Sequence, residues 1–399
     1  MKPDNTGAMA RSETDNGASQ GHRMRNKKFA ISSFILHPSS LETSFLLPPS
    51  SLDLEGVASV LLVRLRSLGD TVLMTPVIAA LRRWRPGLHI SALVEDRFAA
   101  VLRHNPKLDA VLEVPWRPGG GWTGLSAKLA AVRQVRRRPY DLVINLHGGT
   151  TSLFYTRLAR GRHTLGSEAY RYARLYGLRA PAAARVWQRR DLHTIENQLA
   201  PLKWLGIPVE PPPDPEVFVD PAARARVGER LDILGLAGRP FAVIHPTATL
   251  FTKQWDPGKF ARLADHLAAD RGWPVVLSVS PAERAVARQV VDAAATPPAV
   301  LDDLSLSELM ALIERAGLFI GCDSGPAHVA AALRRKVVVI FGSSNAAAWR
   351  PWRTAHELVR SDLPCIPCPG YRCAVFGDPK CIRDISVETV AAAVDRLIK

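Results

Sequence analysis

The chain has 399 residues, 47% of them hydrophobic and 22% charged, a composition typical of a globular protein long enough for two domains. No window reaches the roughly 18 uninterrupted apolar residues of a membrane-spanning helix, so the sequence offers no candidate for one. Lys and Arg outnumber Asp and Glu by 52 to 37. The resulting net charge of +15 favours anionic partners such as nucleic acids, acidic lipid surfaces or phosphorylated substrates.

Residues 1–57 are predicted to form a disordered extension, because most of this segment is rich in Ser, Asn, Gly and Pro and has no sustained hydrophobic period. The apolar stretch at 29–36 is short and is not followed by a small-residue cleavage site, so a secretory signal peptide is not expected.

Residues 58–207 alternate apolar runs with amphipathic segments, which predicts a βαβ series and a mostly parallel sheet. This pattern indicates a first Rossmann-like domain. The predicted strands are Val60–Arg64, His89–Val94, Ala110–Val114 and Leu142–Leu146, and the predicted helices are Val72–Arg85, Arg97–His104, Leu125–Arg138 and Thr194–Leu205.

A proline-rich segment, predicted as a linker over 208–222, separates this series from a second one over 223–399. Two Rossmann-like domains facing a central cleft are therefore expected. The second series has predicted strands Phe241–His245, Val275–Val279, Leu318–Cys322 and Val337–Phe341, and predicted helices Lys259–Asp270, Glu283–Ala293, Leu306–Ala316, Pro326–Leu333 and Val387–Ile398.

The first candidate site is the turn after the first strand, where Gly69 and Asp70 precede an apolar helix. Open parallel sheets bind ligands at the carboxyl ends of their strands. Asp70 has two interpretations, which are compatible. It is an N-cap that stabilises the helix by about 1 kcal/mol, or a general base that takes a proton from an attacking hydroxyl. Arg64 and Arg66, on the approach to this turn, are candidates for binding acidic groups of a substrate.

A second candidate site follows the first strand of the second domain, in the loop from His245 to Trp255. Thr247, Thr249 and Lys253 suit a diphosphate, because hydroxyls donate hydrogen bonds and an ammonium neutralises charge on a leaving group. The alternative is that the threonines form a turn and the lysine is merely exposed.

The segment Asp323-Ser324-Gly325-Pro326-Ala327-His328 gives the sharper signal. Pro suits the first turn of a helix, Gly permits close approach of a ligand, and the helix N-terminus attracts phosphate. His328 is either a group at the mouth of the site or a packing histidine. Glu283, after the neighbouring strand, is a candidate for binding a ribose diol and, taken alone, is more simply a first-turn residue.

Four of the five cysteines, Cys365, Cys368, Cys373 and Cys381, form a late cluster. A C-x2-C pair followed by two thiols permits a tetrahedral metal site, but the seven residues between the last two depart from a zinc ribbon. A structural cluster that supports a compact loop is therefore favoured over a catalytic metal.

Taken together, these motifs resemble the ADP-heptose:lipopolysaccharide heptosyltransferases of glycosyltransferase family nine. The likeness rests on the order and spacing of the Gly69-Asp70 turn, the Thr…Lys253-x-Trp255 loop, Ala282-Glu283, the Asp323–His328 segment and the cysteine cluster. It implies a GT-B fold and an inverting, metal-independent transfer without a cofactor. The substrates implied are ADP-L-glycero-D-manno-heptose and a lipid A-linked acceptor in the lipopolysaccharide inner core.

The resemblance also implies roles for individual residues. Asp70 matches the family's catalytic base and Lys253 its diphosphate-contacting lysine. Asp323, Ser324 and Gly325 match the donor loop, with His328 beside them and Thr247 and Thr249 near the phosphates. The turn that contains Asn145 and His147 lies on the acceptor side, together with Gly69, Arg64 and Arg66.

Other readings differ in substrate or in chemistry. In the first, the chain is a family relative that transfers another nucleotide-activated sugar. In the second, it is a non-catalytic GT-B protein that binds nucleotides or anions. An NAD-dependent oxidoreductase is disfavoured because no G-x-G-x-x-G follows the first strand. No nucleic-acid-binding signature is present, so the basic charge is expected to hold the enzyme transiently at an anionic membrane surface, on the cytoplasmic face of the inner membrane.

Overall fold

The computed structural model describes residues 53–116, 121–368 and 370–399. All but the last five residues of the predicted N-terminal extension lie outside these ranges. Contact clustering places the described residues in one compact unit. We call residues 58–207 the front lobe and residues 208–399 the rear lobe.

The front lobe contains a parallel sheet with the strand order β3-β2-β1-β4-β5-β6. The central strand β1 is buried along its whole length, as expected for a strand covered by helices on both faces. The strands are β1 Ser59–Val63, β2 His89–Glu95, β3 Ala110–Val114, β4 Pro139–Asn145, β5 Arg160–Ser167 and β6 Leu178–Ala180. The helices are α1 Leu68–Val72, α2 Thr75–Trp84, α3 Ala100–Arg103, α4 Gly121–Arg136, α5 Thr150–Leu158, α6 Ala183–Val186 and α7 Thr194–Trp204.

The rear lobe contains a second parallel sheet, with the order β12-β11-β10-β7-β8-β9. Its strands are β7 Ala242–His245, β8 Val275–Ser278, β9 Ala299–Leu301, β10 Leu318–Cys322, β11 Lys336–Phe341 and β12 His356–Arg360. Its helices are α8 Pro221–Ile233, α9 Pro257–Asp265, α10 Arg284–Ala293, α11 Leu306–Arg315, α12 Gly325–Ala332, α13 Ala346–Trp349, α14 Lys380–Arg383 and α15 Val387–Ile398. The predicted α/β class with two Rossmann-like sheets is confirmed.

The predicted helix Val72–Arg85 corresponds to α2, Thr75–Trp84, and a separate short helix, α1, ends at Val72, because Pro76 lies in the first turn of α2. Proline has no N–H to donate to the carbonyl four residues earlier, that of Val72. The hydroxyl of Thr75 donates to that carbonyl instead, at 2.8 Å. The chain can therefore bend between the helices without leaving a buried acceptor unpaired.

In each sheet the order of the strands reverses once, and these two switch points determine where the site lies. In the front lobe β1 lies between β2 and β4, and in the rear lobe β7 lies between β8 and β10. At such a point the two flanking connections leave in opposite directions and open a crevice at the carboxyl ends of the strands. Asp70 follows β1, and Asp323 follows β10.

The predicted linker contains no helix or strand from residue 208 to residue 220, and α8 begins at Pro221. The domain boundaries at 207 and 222 stay a prediction. Among the described residues, no helix combines the length and the apolarity that crossing a bilayer requires.

Candidate active site

The front part of the site is the turn between β1 and α1. Asp70 lies at the third position of α1, and its Oδ2 accepts hydrogen bonds from the backbone N–H of Ser67 (3.3 Å) and from its hydroxyl (3.0 Å). Ser67 is the N-cap residue, so Asp70 completes a capping box instead of capping the helix itself. The second oxygen, Oδ1, forms an ion pair with Arg64. The carboxylate thus lies between the helix start and a guanidinium.

The two candidate arginines of the front lobe lie on opposite sides of β1. Arg64 is largely buried and, besides its ion pair with Asp70, donates to the carbonyl of Leu146 after β4. Arg66 is 59% exposed and pairs with Glu95 at the end of β2, at 3.0 Å. Of the two, only Arg64 reaches the switch point.

Asn145, expected to contact the acceptor, is fully buried, and its side chain bonds to other groups of the protein. Its amide nitrogen donates to Thr156 (3.0 Å) and to the Tyr176 hydroxyl (2.9 Å). Its oxygen accepts from the backbone N–H groups of His147 (2.9 Å) and Gly148 (3.0 Å). An amide side chain has two donors and two acceptor positions, so no capacity is left for a ligand. We assign Asn145 to holding the turn after β4.

His147 is half-buried beside that turn, where its Nδ1 accepts from the backbone N–H of Arg66 at 3.3 Å. Burial, followed by the positive charge of Arg64, lowers the pKa of His147 to about 4. The imidazole is therefore neutral at physiological pH and brings polarity, but no charge, to this turn.

In the rear lobe, Lys253 and Asp323 form an ion pair, with 2.8 Å between Nζ and Oδ2. Lys253 ends a short 3-10 turn after β7, and Asp323 directly follows β10. The Asp323 side chain is 5% exposed and that of Lys253 is 22% exposed. A partly open ammonium beside a buried carboxylate can still reach an incoming anion.

A polar cluster lies next to this pair, at the ends of β7 and β8. Buried His245 makes a 2.7 Å hydrogen bond with the Ser278 carbonyl, and the Thr247 hydroxyl lies 3.1 Å from its other ring nitrogen. Glu283 accepts from the backbone N–H (2.8 Å) and the hydroxyl (2.6 Å) of Ser280. Burial raises the pKa of Glu283, but hydrogen bonds from Ser280 and Thr247 outweigh it and lower the pKa overall. Thr249 is exposed on the loop.

The two lobes touch where α1 meets the start of α12. A Cβ atom on Gly69 would lie 2.8 Å from His328 Cδ2, and one on Gly325 would lie 2.7 Å from Leu68 Cβ. Both glycines are therefore needed for close approach across the junction. Ser324 occupies the N-cap position of α12 but makes no side-chain capping bond, and its hydroxyl is buried without a partner in the described structure.

His328 connects the two halves of the site electrostatically. Burial lowers its pKa, the negative charges of Asp323 and Asp70 raise it, and the positive charge of Lys253 lowers it. The charges of the front carboxylate and of the rear ion pair thus both affect the pKa of this one imidazole.

Sequence reasoning missed two polar residues near this junction. The Gln198 side chain of α7 donates to the carbonyl of Asp70 at 3.3 Å. His193, the N-cap of α7, lies 2.9 Å from the carbonyl of Arg350 in the rear lobe. The available signal was the capping box, in which Glu196 accepts from the His193 backbone N–H at 2.8 Å. It predicts a helix start but not a contact between lobes.

The four clustered cysteines lie around one apolar cavity of about 170 Å³, next to Thr252 and Ser343. Burial, reinforced by the three neighbouring thiols, raises the pKa of Cys381 to about 11. No disulfide links the cysteines of the described structure, and within those residues no group of three or more His, Cys, Asp or Glu is arranged to hold a metal. The cluster adjoins the turn that carries Lys253, through Thr252, and its loop-supporting role stays a prediction.

Comparison with known proteins gives a consistent result. The model of glycosyltransferase family 9 (heptosyltransferase) matches residues 128–376. Lipopolysaccharide heptosyltransferase 3 of Escherichia coli is 30% identical over 296 residues, which cover 71% of this chain and 83% of that protein. Lipopolysaccharide heptosyltransferase 1 of Pseudomonas aeruginosa is 29% identical over 333 residues, covering 79% and 87%.

Solved structures share the fold. A family 9 glycosyl transferase from Veillonella parvula superposes with a TM-score of 0.73 at 22% identity, covering 86% of this chain and 97% of that one. The E. coli heptosyltransferase WaaC with ADP gives a TM-score of 0.67 at 20% identity, covering 85% and 99%.

Proposed function

Since this chain belongs to glycosyltransferase family 9, we propose that it transfers heptose from ADP-L-glycero-D-manno-heptose to the lipid A-linked inner core of lipopolysaccharide, with inversion. The curated relatives at 30% and 31% identity are lipopolysaccharide heptosyltransferases, which supports this substrate class. The observation that carries the proposal is the packing of α1 against the start of α12 at Gly69, Gly325 and His328, which brings the turn that contains Asp70 next to the helix that follows Asp323.

The rear lobe holds the donor. Lys253 neutralises the diphosphate, and the start of α12, with Ser324 and Gly325, supplies backbone N–H groups and the positive end of the helix dipole. Thr247 and Glu283 lie on the neighbouring strand ends, where the nucleoside would extend and Glu283 would accept from a ribose diol. Asp323 fixes Lys253 and faces the sugar.

The front lobe holds the acceptor, and Asp70 acts as general base. The acceptor oxygen attacks the anomeric carbon from the face opposite the diphosphate, and the bond from that carbon to the phosphate oxygen breaks. The hydroxyl proton passes to Asp70, and ADP leaves with the bonding electron pair. Attack from the opposite face inverts the configuration at the anomeric carbon.

We further propose that the reaction needs no divalent metal. The ammonium of Lys253 and the helix start already provide positive charge at the site proposed for the leaving diphosphate. Transfer that continues at an unchanged rate in excess EDTA would support this assignment, whereas loss of transfer that is restored by added Mg²⁺ would overturn it.

The test of the proposed function uses purified protein, ADP-heptose and a core acceptor that lacks the heptose. We expect a product heavier by one heptosyl residue, with an anomeric signal inverted relative to the donor. A parallel panel of ADP-, UDP- and GDP-sugars distinguishes a relative that uses another sugar. Binding of ADP without turnover on any of these donors would favour the non-catalytic alternative.

A lipid-linked acceptor requires contact with a membrane, and one face of the front lobe suits this contact. A groove of about 680 Å³ opens between α4 and α5, and the charged residues in its lining are Lys128 and the ion pair of Arg66 with Glu95. The large hydrophobic side chains exposed along this groove are Trp116, Leu125, Leu129 and Phe154. Apolar groups among cations are typical of peripheral binding to anionic lipid.

Vesicle sedimentation tests the membrane proposal. We expect binding to vesicles that contain an anionic phospholipid, weaker binding to zwitterionic vesicles, and release at high salt. Replacing Leu125, Leu129 and Phe154 with Ser should weaken binding, whereas Ile233→Ser should not. Ile233 is 85% exposed but lies on the rear lobe, which makes it a matched control. Equal binding by the triple variant and the wild type would exclude this face.

A further inference from the structure

We propose that the cavity between the carboxyl ends of β1 and β4 and helix α7 binds an anionic group of the acceptor, and that this group takes Arg64 from Asp70. The inference rests on the proposed function, since it concerns the acceptor of that reaction. It assigns Arg64 as the residue that recognises the anion and controls when the carboxylate is free to act.

The cavity has a volume of about 260 Å³ and lies at the switch point of the front sheet. Its lining comes from the ends of β1, β4, β5 and β6 and from α7, and includes Arg64, His147, Tyr170, Thr194, Asn197 and Gln198. Such a crevice is the place where an open parallel sheet binds its ligand. It also adjoins Asp70, because Arg64 reaches both the cavity and the carboxylate.

Two polar atoms at the cavity wall lack hydrogen-bond partners, namely Arg64 Nε and Gln198 Oε1. Gln198 is 5% exposed, and no group of the described structure donates to its side-chain oxygen. Buried polar groups are normally paired, and exceptions require an explanation. A ligand that carries both an anionic oxygen and a hydroxyl would satisfy the two atoms together, and an acidic sugar has both groups.

Charge favours an anion over a neutral sugar. Of the described residues that line the cavity, Arg64 alone is charged at neutral pH, because burial and the Arg64 charge lower the pKa of His147 to about 4. Burial likewise raises the pKa of Tyr170 to about 12, so its hydroxyl stays protonated. The cavity therefore presents one cation within a polar but neutral wall.

The same arginine limits Asp70 as a base. Three of the four lone-pair positions of the carboxylate are taken, two on Oδ2 by Ser67 and one on Oδ1 by Arg64, so Arg64 competes with an incoming hydroxyl for Oδ1. Moving Arg64 away without compensation would leave a buried guanidinium unpaired, which is strongly unfavourable. An anionic group in the cavity removes that cost, because Arg64 exchanges one anion for another. Acceptor binding then frees Oδ1 beside the reacting hydroxyl.

Calorimetry without donor tests this inference on the full chain. The probe is deacylated lipopolysaccharide core oligosaccharide, used intact, after phosphatase treatment, and after chemical reduction of its carboxylates. The last two samples distinguish a phosphate from a carboxylate as the anion. The variants are Arg64→Gln, Arg64→Lys and the control Arg103→Gln. Arg103 pairs with Glu113 at 2.8 Å in the same lobe, outside the cavity.

With the intact oligosaccharide, we expect Arg64→Gln to weaken binding about 30-fold, as loss of a charge-assisted contact does. Arg64→Lys keeps the positive charge but loses the two-pronged guanidinium geometry, so its decrease in affinity should be smaller than that of Arg64→Gln. Arg103→Gln should bind like the wild type, and ADP affinity should be equal in all four proteins. Removing the correct anionic group should lower wild-type binding to the Arg64→Gln level.

Unchanged binding of the intact oligosaccharide by Arg64→Gln would overturn the inference, as would wild-type affinity for both treated samples. In the transfer assay, Arg64→Gln should raise the acceptor KM and leave the donor KM unchanged. The binding experiment does not depend on turnover. If the wild type binds as expected but transfers no heptose, the proposed reaction fails and this inference stands. If heptose is transferred while Arg64→Gln binds normally, only this inference fails.

Discussion

The front and rear lobes have sheets of the same size and the same parallel topology, but they differ in charge. Residues 58–207 contain 24 Lys and Arg against 9 Asp and Glu, which accounts for the entire net charge of +15. Residues 208–399 contain 22 of each. The basic lobe is the one that carries the groove between α4 and α5 and the cavity beside Asp70. The excess charge therefore lies on the lobe proposed to bind the acceptor, and the shared sheet topology does not require it.

The switch points differ in a second way. Each has one ion pair, Arg64 with Asp70 in front and Lys253 with Asp323 behind. In the front pair both side chains are about equally buried, at 15% and 16% exposure. In the rear pair the cation is more exposed than the anion, at 22% and 5%. The rear cation is therefore the more accessible to an anion, whereas in the front pair the guanidinium of Arg64 occupies Oδ1 of the carboxylate.

The largest expected effect is that of Asp70→Asn, which removes the proposed general base from the front pair while keeping the size of the side chain. We expect kcat to fall about 10³-fold, within the range for loss of a general base. ADP affinity should be unchanged, because the donor contacts lie in the rear lobe. Steady-state kinetics and calorimetry measure the two quantities, with exposed Asp191→Asn as the control. A kcat near that of the wild type would remove Asp70 from the chemistry.

The next effect is that of Lys253→Met, which removes the rear cation. We expect kcat/KM to fall about 10²- to 10³-fold, because an electrostatic contact to the leaving group is lost. The variant also leaves the buried Asp323 carboxylate unpaired, which should lower the free energy of unfolding by about 3 kcal/mol.

The double variant Lys253→Met with Asp323→Asn separates these effects. It should recover much of the stability, since no buried charge remains unpaired, while transfer stays low. Denaturant titration and the transfer assay provide the two measurements. Recovery of transfer in the double variant would show that Lys253 acts only through stability.

A third prediction concerns the hydrogen bond between the lobes that joins His193 Nε2 to the carbonyl of Arg350. We call this contact the tie between the lobes. His193 is 1% exposed. Its Nδ1 accepts from Ile195 N–H at 3.1 Å, so protonation at that atom would break the helix cap. Burial lowers the pKa of His193 to about 4 from 6.5. The unfolded chain then binds the proton first as the pH falls. Stability should be complete above about pH 6.5 and decrease by about 3 kcal/mol towards pH 4.

Denaturant titrations across this pH range test the tie, with His193→Gln as the comparison. The variant has no titrating group at this position, so its stability should vary less with pH than that of the wild type. The difference between the two curves isolates His193 from the other buried histidines. Parallel curves would show that the tie does not depend on the neutral imidazole.

The smallest expected effect is that of Gly69→Ala at the junction. The new methyl group would lie 2.8 Å from His328 Cδ2, so α1 or α12 must move. We expect a cost of about 1–3 kcal/mol in the free energy of unfolding, as for overpacking elsewhere. Gly87→Ala is the control, since nothing lies within 4 Å of its Cβ position. Equal stability of the two variants would mean that the junction is loosely packed.

The sequence predicted the parts of this protein that depend on local pattern. Buried strands such as β1 and β10 are continuous apolar runs, and the residues after them were recognisable as site candidates. Strands β5 and β12 were missed because Arg160–Ser167 and His356–Arg360 have neither an apolar run nor strict alternation. Their place in the sheet comes from neighbouring strands, and a single segment does not encode that.

The site shows the same division. Asp70, Lys253 and Asp323 could be proposed from motifs, but their partners could not. One of the hydrogen bonds that fill the capacity of the Asn145 side chain goes to Tyr176, 31 residues away. The contact of Arg64 with Leu146 spans 82 residues. The contact between Gly69 and His328 joins separate lobes, so no local spacing predicts it. These tertiary contacts determine which candidate residues are open to a ligand.

The proline-rich segment between the lobes is attached to both of them. The backbone N–H of Glu216 donates to Thr75 in front at 2.9 Å, and two residues earlier Asp214 accepts from Arg334 (2.6 Å) and Trp352 (3.2 Å) behind. Moving the lobes straight apart would stretch this segment and break one or both attachments. A rotation of the lobes about the segment would preserve them. We therefore expect substrates to enter by a pivoting motion whose axis runs along the spine formed by residues 214–216.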